Sequence, residues 1–474
     1  MGFGIRIKIK QQNIMRCFFT VAKFTCLLMV MHLPLASSAV NFDEALESAY
    51  KTNPELETIK QEYIETIQVF PQTLSGAFLP DISISTANQL SKSYSKMNPE
   101  VPAAISDSFR KSITTTQPIF NGGGGLASLA SAQNRVDVAR LAYTKKEQDF
   151  LLKVITIYLK MISSNENEQA ASAFVDSSRR QYEARQEMLK LGQATATDLA
   201  LAKAQYAQAL SVLSKASSEH QSAKINFQQV IGLEPINLTF PELPDSLPKS
   251  FEEYKNIALK SNLDLRMSEH VRKFRKNNLL ASMSRLLPSA SAQFTASEEI
   301  SDVERPAPYP YYNSSKNKSY STSLSVNIPI LSRGGEEYSR VRSAKASYRS
   351  SVYGKFYTEK MIDVALTTNW KRYESLKEAM NFAEQLVDAR KLAYDGIKSK
   401  YELGVSTILD LLNAEKEMYD AMFNKIQVKE QLLTLAFTLK SDLAQLTAKK
   451  MGFKAKLFDP DAEFRKTKFR IIGF

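Results

Sequence analysis

The 474-residue chain is poor in the residues from which most catalytic and metal centres are built. It has two cysteines, three histidines and one tryptophan. Both cysteines, Cys17 and Cys26, lie within the first 39 residues. If that stretch is removed, the remaining chain can form no disulfide, no thiolate metal site and no lipid-anchored N-terminal cysteine. His32 falls in the same stretch, while His220 and His270 stand singly in helical sequence and read as surface residues. No Ser/His/Asp order and no carboxylate pair stands out, so the chain is not expected to be an enzyme or to need a metal or other cofactor. Beyond residue 39 no apolar run reaches the roughly 20 residues of a membrane-spanning helix. This chain could cross a membrane only with strands.

What is present begins with a secretory signal. Arg6, Lys8, Lys10 and Arg16 form a basic head, residues 17–35 are largely apolar, and Ser37, Ser38 and Ala39 offer cleavage after Ala39. Met15 is an alternative start. An uncleaved anchor helix is the competing reading, but Lys23 and Pro34 shorten its apolar stretch. Residues 1–39 hold five basic residues and no acidic one, so their removal takes the formal charge from +12 to +7. That charge is dispersed, without arginines interleaved with aromatics, and nucleic acid is not an expected partner.

The chain is written twice. Asn53-Pro54-Glu55-Leu56 matches Asn262-Leu263-Asp264-Leu265 at an offset of 209, and Leu79-Pro80 matches Leu287-Pro288 at 208. Gln117 to Phe120 matches Ile328 to Leu331 at 211, and Gly122-Gly123 matches Gly334-Gly335 at 212. Leu191-Gly192, Thr195 and Asp198 match Leu403-Gly404, Thr407 and Asp410, also at 212. One structural unit used twice explains a near-constant offset. Each unit opens with a predicted helix of about 35 residues, Asp43 to Phe78 or Phe251 to Leu287, stopped by Leu-Pro. Alternation follows: Ile82 and Ile84 against Ser83 and Ser85, and Leu324, Val326 and Ile328 against Ser323, Ser325 and Asn327. These are strands with one apolar and one small polar face. Ser91 to Asp107 and Glu298 to Ser319 read as the hairpin loops. Tyr309, Tyr311, Tyr312 and Tyr320 in or near the second are either an interfacial aromatic girdle or an exposed loop.

Four strands cannot close a barrel, since the smallest membrane barrels need about eight. The hairpins must therefore pair with other copies, and three copies would supply twelve strands. After each hairpin come Pro118 or Pro329 and then Gly122 or Gly334, a swivel between inclined strand and axial helix. Gly122 to Gly192 and Gly334 to Gly404 each span 70 residues without a proline. As a continuous helix that is roughly 100 Å. Gly192 and Gly404 then turn the chain at the tip of the tunnel, and return helices run to about Ile231 and Thr447. The chain thus divides into a signal (1–39), a first repeat (40–232, strands about 80–120), a proline-rich linker (233–250), a second repeat (251–447, strands about 288–331) and a basic, solvated tail (448–474).

This ordered set of landmarks, over about residues 42–446, resembles the TolC family of outer-membrane efflux and secretion ducts. The resemblance implies a mixed α/β membrane protein: a homotrimer with a twelve-stranded outer-membrane β-barrel continued by a periplasmic twelve-helix α-barrel. It implies a passive exit duct in the cell outer membrane, in contact with outer-membrane lipid. The partners it implies are a periplasmic adaptor (membrane fusion) protein and an inner-membrane ABC or proton-driven transporter. The run Phe458 to Phe464 is similar to the tail of members that serve type I secretion. The family's acidic periplasmic constriction maps onto Asp410, with Asn413 where a second acid stands and Ser406 where an arginine locks the turn. Asp198 is the counterpart of Asp410 in the first repeat. Thr407-x-x-Asp410 and Thr195-x-x-Asp198 are also capping boxes, a local role compatible with a constriction. Gly122 to Gly125 lack the Lys-Ser/Thr of a phosphate loop. A periplasmic coiled-coil scaffold or adaptor without a pore is the other reading; it explains the long helices but not two strand pairs at matching positions.

Overall fold

The computed structural model describes residues 41–94, 101–244, 247–308, 310–455, 457–471 and 473. The expected signal, Tyr309 and part of the first hairpin loop lie outside the described residues. The first unit runs α1 (Phe42–Thr52), α2 (Pro54–Ile67), α3 (Val69–Phe78), β1 (Asp81–Ser93), β2 (Ala104–Asn121), α4 (Gly124–Lys190) and α5 (Ala196–Ile231). The second runs α6 (Phe251–Ser261), α7 (Leu263–Ser284), β3 (Ser289–Arg305), β4 (Tyr311–Asn327), α8 (Glu336–Glu402) and α9 (Ile408–Asp442), and α10 (Pro460–Thr467) follows.

The single opening helix expected in each unit is in fact broken. In both units the break falls at the repeated Asn. The Asn53 side chain accepts from Glu55 N at 2.8 Å with Pro54 at the first helical position, and Asn262 accepts from Leu265 N at 3.0 Å. The shared landmark is therefore a helix N-cap, which stops one helix and starts the next. A second break precedes α3, where Pro71 has no N–H to give the carbonyl of Ile67.

The two long helices are continuous, 67 residues each, so each is about 100 Å long. Helix α5 returns along α4 with Ala202, Ala209, Ala216 and Ala223 buried at every seventh position. A seven-residue repeat of small side chains is a close-packed coiled-coil seam. The main core gathers where α1, α2 and the end of α5 cover the middle of α4. There Leu151, Val154, Ile155 and Phe227 are fully buried, and Tyr158 meets the Phe42 ring at 5.3 Å. A second core surrounds the single tryptophan. Trp370 stacks on Tyr254 at 5.3 Å, and the Tyr254 hydroxyl donates to Asp442 at 2.7 Å. Long helix α8 buries only Ile362, Leu366, Trp370 and Ala383 and leaves Tyr353, Phe356, Tyr357 and Phe382 exposed.

The C-terminal segment is not the solvated tail expected from its charge. It straps the belt formed by α1 to α4. Phe458 packs on Tyr143 (5.2 Å) and Tyr63, and Phe464 on Phe70 (5.5 Å). The Tyr63 hydroxyl donates to Pro460 O at 2.8 Å, and Arg140 pairs with Asp461 at 2.5 Å. Its lysines alternate with apolar residues, so average charge hides the buried set.

The strands form one antiparallel sheet in the order β1-β2-β3-β4. Strand β2 joins β3 across the two units, and β1 and β4 are the edges. The strands are longer than expected. Most of Glu298 to Ser319, expected as loop, is strand; residues 306–308 and 310 are the described non-strand residues between β3 and β4. In β4 the Asn and Lys of that stretch fall on opposite faces, Asn313 and Asn317 on one and Lys316 and Lys318 on the other.

Candidate channel wall, swivels and tunnel tip

The sheet register separates its residues into two faces. Ser85, Ser112, Ser297 and Ser319 lie side by side across all four strands, and Ser83, Thr114, Thr295 and Ser321 form the next row. Ser85 and Ser112 share a hydroxyl–hydroxyl bond of 2.8 Å. A charged row lies beyond, where Arg110 Nη2 meets Glu299 at 2.6 Å. The opposite face carries Ile84, Ile113, Ala296 and Tyr320 in one row, and Ile82, Thr115, Phe294 and Thr322 in another. Along β2, Ser106, Ser108, Ser112 and Thr114 are half-buried while Ile105, Phe109 and Ile113 are exposed. This is the exposure pattern of a sheet curved toward its hydroxyl face. A wall with hydroxyls inside and apolar residues outside has the polarity of a membrane barrel facing a water-filled lumen. Of the tyrosines weighed for a girdle, Tyr320 stands on the apolar face; Tyr312 shares that face farther along, and Tyr311 points to the other.

The two candidate swivels are not equivalent. Pro118 lies inside β2, not after it, at a register shift between Pro118 and Phe120. Gly122 follows with φ +64°, and a Cβ there would stand 2.5 Å from the carbonyl oxygen of Ser284. Only glycine fits both that backbone and that contact. Asn121 accepts from Gly125 N at 2.9 Å and caps the start of α4. In the second unit Pro329 follows β4, and Gly334 (φ +63°) has open space around its Cβ position. The glycine turn at Gly122 is thus wedged against α7, and the one at Gly334 has open space around its Cβ position.

At the tips, Gly192 and Gly404 take φ +70° and +76°. The N–H groups of Gln193 and Val405 reach back to the carbonyls of Met188 and Lys400 at 2.8 and 2.9 Å. These are Schellman endings, which satisfy the last carbonyls of α4 and α8. The return helices both start on capping boxes. Asp198 accepts from Thr195 N at 2.9 Å, and Thr195 Oγ1 accepts from Asp198 N at 3.1 Å. Asp410 does the same with Thr407 at 3.0 and 3.2 Å. Ser406 Oγ adds a bond to Asp410 at 3.1 Å. The Thr407 hydroxyl and N–H, with Ser406, hold the Asp410 carboxyl below the usual aspartate range. Thr195 does this for Asp198. Asn413 is exposed one turn farther along α9. The structure thus brings Ser406 and Asp410 together and gives both aspartates a capping role.

The sequence did not reveal the contacts that hold the helical hairpins together above the tip. Arg185, 7% exposed, lies over the Tyr401 ring at 4.8 Å and ties α4 to α8. Glu415, fully buried on α9, accepts from Gln181 of α4 at 3.4 Å, and burial pushes its carboxyl up. A lone charge in a long amphipathic helix reads as solvated, and nothing local in sequence marks which helix faces it. Among the described residues no cluster of His, Cys, Asp or Glu could hold a metal, and no helix is long and apolar enough to cross a membrane.

A sheet with one hydroxyl and one apolar face, continued by two helices of about 100 Å that each carry a return helix about half as long, points to a channel-forming class of outer-membrane protein. The model of the outer membrane efflux protein family matches residues 74–233 and 255–444. The chain belongs to that family, whose members are transport proteins, and its place is the outer membrane. It is 21% identical to the outer membrane protein TolC of Escherichia coli strain K12, over 86% of this chain and 83% of that one. It is 22% identical to the alkaline protease secretion protein AprF of Pseudomonas aeruginosa, over 69% and 68%. Its fold matches that of the Campylobacter jejuni CmeC outer membrane channel with a TM-score of 0.72 at 14% identity, covering 90% of this chain and 88% of that one.

Proposed function

We propose that three copies of this chain close a twelve-stranded barrel in the outer membrane, continued by a twelve-helix periplasmic tunnel, and that this duct conducts cargo passively to the exterior. The observation that carries this reading is the two-faced sheet with both edges open. One copy supplies four strands, a hydroxyl-lined interior and two unpaired edges, and a membrane barrel tolerates no edge. The exposed aromatic residues of α8 supply a helical counterpart to those edges. A scaffold without a pore has no use for such a sheet.

The partners are a periplasmic adaptor and an inner-membrane transporter that provides the energy. Leu191, Leu403 and Val405 are more than 70% exposed at the helical tips, an apolar knob suited to an adaptor. Protein export by a type I system is favoured over drug efflux by the C-terminal run Phe458 to Phe464 and by the similarity to AprF. Asp410, with Asn413, Ser406 and Asp198 around it, forms the constriction. Gly192 and Gly404 form the turns of the tip, and Pro118, Gly122, Pro329 and Gly334 the swivels. The full-length protein should run as a heat-labile trimer from outer membranes and give discrete conductance steps in planar bilayers. A monomer that leaves the bilayer silent overturns the duct.

A further inference from the structure

The apolar face of the sheet is crossed by a row of lysines. Beyond the row Ile84, Ile113, Ala296 and Tyr320 comes Thr86, Lys111, Glu298 and Lys318, then Asn88, Phe109, Ile300 and Lys316. Below, the band continues through Leu324 and Val326 to Ile328 and Ile330, all at least 62% exposed. Nine residues separate Asn327, the last of β4, from Lys318. At about 3.4 Å per residue and a tilt of about 40°, they span about 23 Å, close to the roughly 25 Å height of a barrel's apolar band. The lysine row therefore stands at the band's outer edge, on the side away from the helices.

Three lysines share one carboxylate there. Glu298 is held by Lys316 at 2.5 Å. Lys111 and Lys318 flank Glu298 in register on the neighbouring strands. Two strand spacings set their backbones about 10 Å apart. The flexible lysine stems can converge across that gap. Lys111 Nζ lies over the Phe109 ring at 5.2 Å, one row farther from the apolar band. Asp107 and Asp302, paired in the following row, repel anions and confine an anionic group to the lysine row.

We propose that Lys111 and Lys318 form a lipid-facing site for the phosphate of an outer-leaflet lipid headgroup, with the acyl chains lying on the apolar rows below. The site rests on the barrel reading, because only there is this face turned to lipid.

The test uses the full-length protein in zwitterionic phospholipid vesicles, with and without bisphosphorylated lipid A. The readout is the temperature at which the folded band disappears from unboiled gels. Lipid A should raise that temperature for the wild type. The rise should shrink by at least half in K111Q/K318Q, survive in K111R/K318R, and be absent with dephosphorylated lipid A. Equal rises in wild type and K111Q/K318Q overturn the site, as does an equal rise with dephosphorylated lipid A. A rise produced by inorganic phosphate alone overturns the lipid assignment. Absence of any folded, heat-labile band in the wild type overturns the barrel reading instead.

Discussion

Asp410 shows how one side chain can close a local cap and still face solvent. Its carboxylate closes a capping box while staying exposed at the tip. Three copies would place three such carboxylates around the narrow end of a tunnel, where confined negative charge favours cations. Asp410→Ala should therefore lower the cation-to-anion permeability ratio in planar bilayers, and an unchanged ratio removes Asp410 from the constriction. Capping was legible in the spacing of Thr407 and Asp410 because a capping box is a local event. The Arg185–Tyr401 contact was not, because it depends on how two hairpins lean together.

Elements were legible where their signals were local and periodic. The long helices, the tip turns and the alternating strands all follow from short-range pattern. Where expectations failed, the reasons are physical. The opening helices were read through their Asn caps, since helix formers dominate on both sides of the cap. The outer half of the β3–β4 hairpin looks like loop in sequence, since small polar residues fill one face of β4. The swivels add an asymmetry that matching landmarks conceal. Gly334→Ala should cost only the strain of a left-handed residue, about 1–2 kcal/mol, because its surroundings are open. Gly122→Ala must also displace the backbone of α7, so it should lose far more of the heat-labile oligomer in membrane fractions. Equal yields of the two variants would show that the wedge against Ser284 is unimportant.

For the whole molecule, the burial of Glu147 makes stability depend on pH. Glu147, 8% exposed beneath the strap, is pushed up to about 7 by burial, with Tyr50, Tyr143 and Lys60 facing it. A carboxyl raised in the folded state gives stability that is full below its ordinary value near 4.5 and fades as pH rises through about 7. The unfolding temperature should fall between pH 5 and pH 8, approximate bounds for that window, and Glu147→Gln should flatten the slope. A slope unchanged in the variant assigns the dependence to other groups. Edge closure has its own test, helped by a chain whose only cysteines are Cys17 and Cys26. Single cysteines placed together at Ser83 on β1 and Ser323 on β4 should be linked between copies by a short bis-maleimide into covalent dimers and trimers. Only intramolecular products would contradict closure of β4 against a neighbour's β1.

The strap also sets an order of events. Lys454 N donates to Glu47, 407 residues back, and Phe464 covers Phe70. A chain that emerges N-terminus first cannot seal its own first helices until its last residues arrive. Until then Tyr63 and Phe70 lack their cover. A chain ended before residue 454 would keep that apolar surface open.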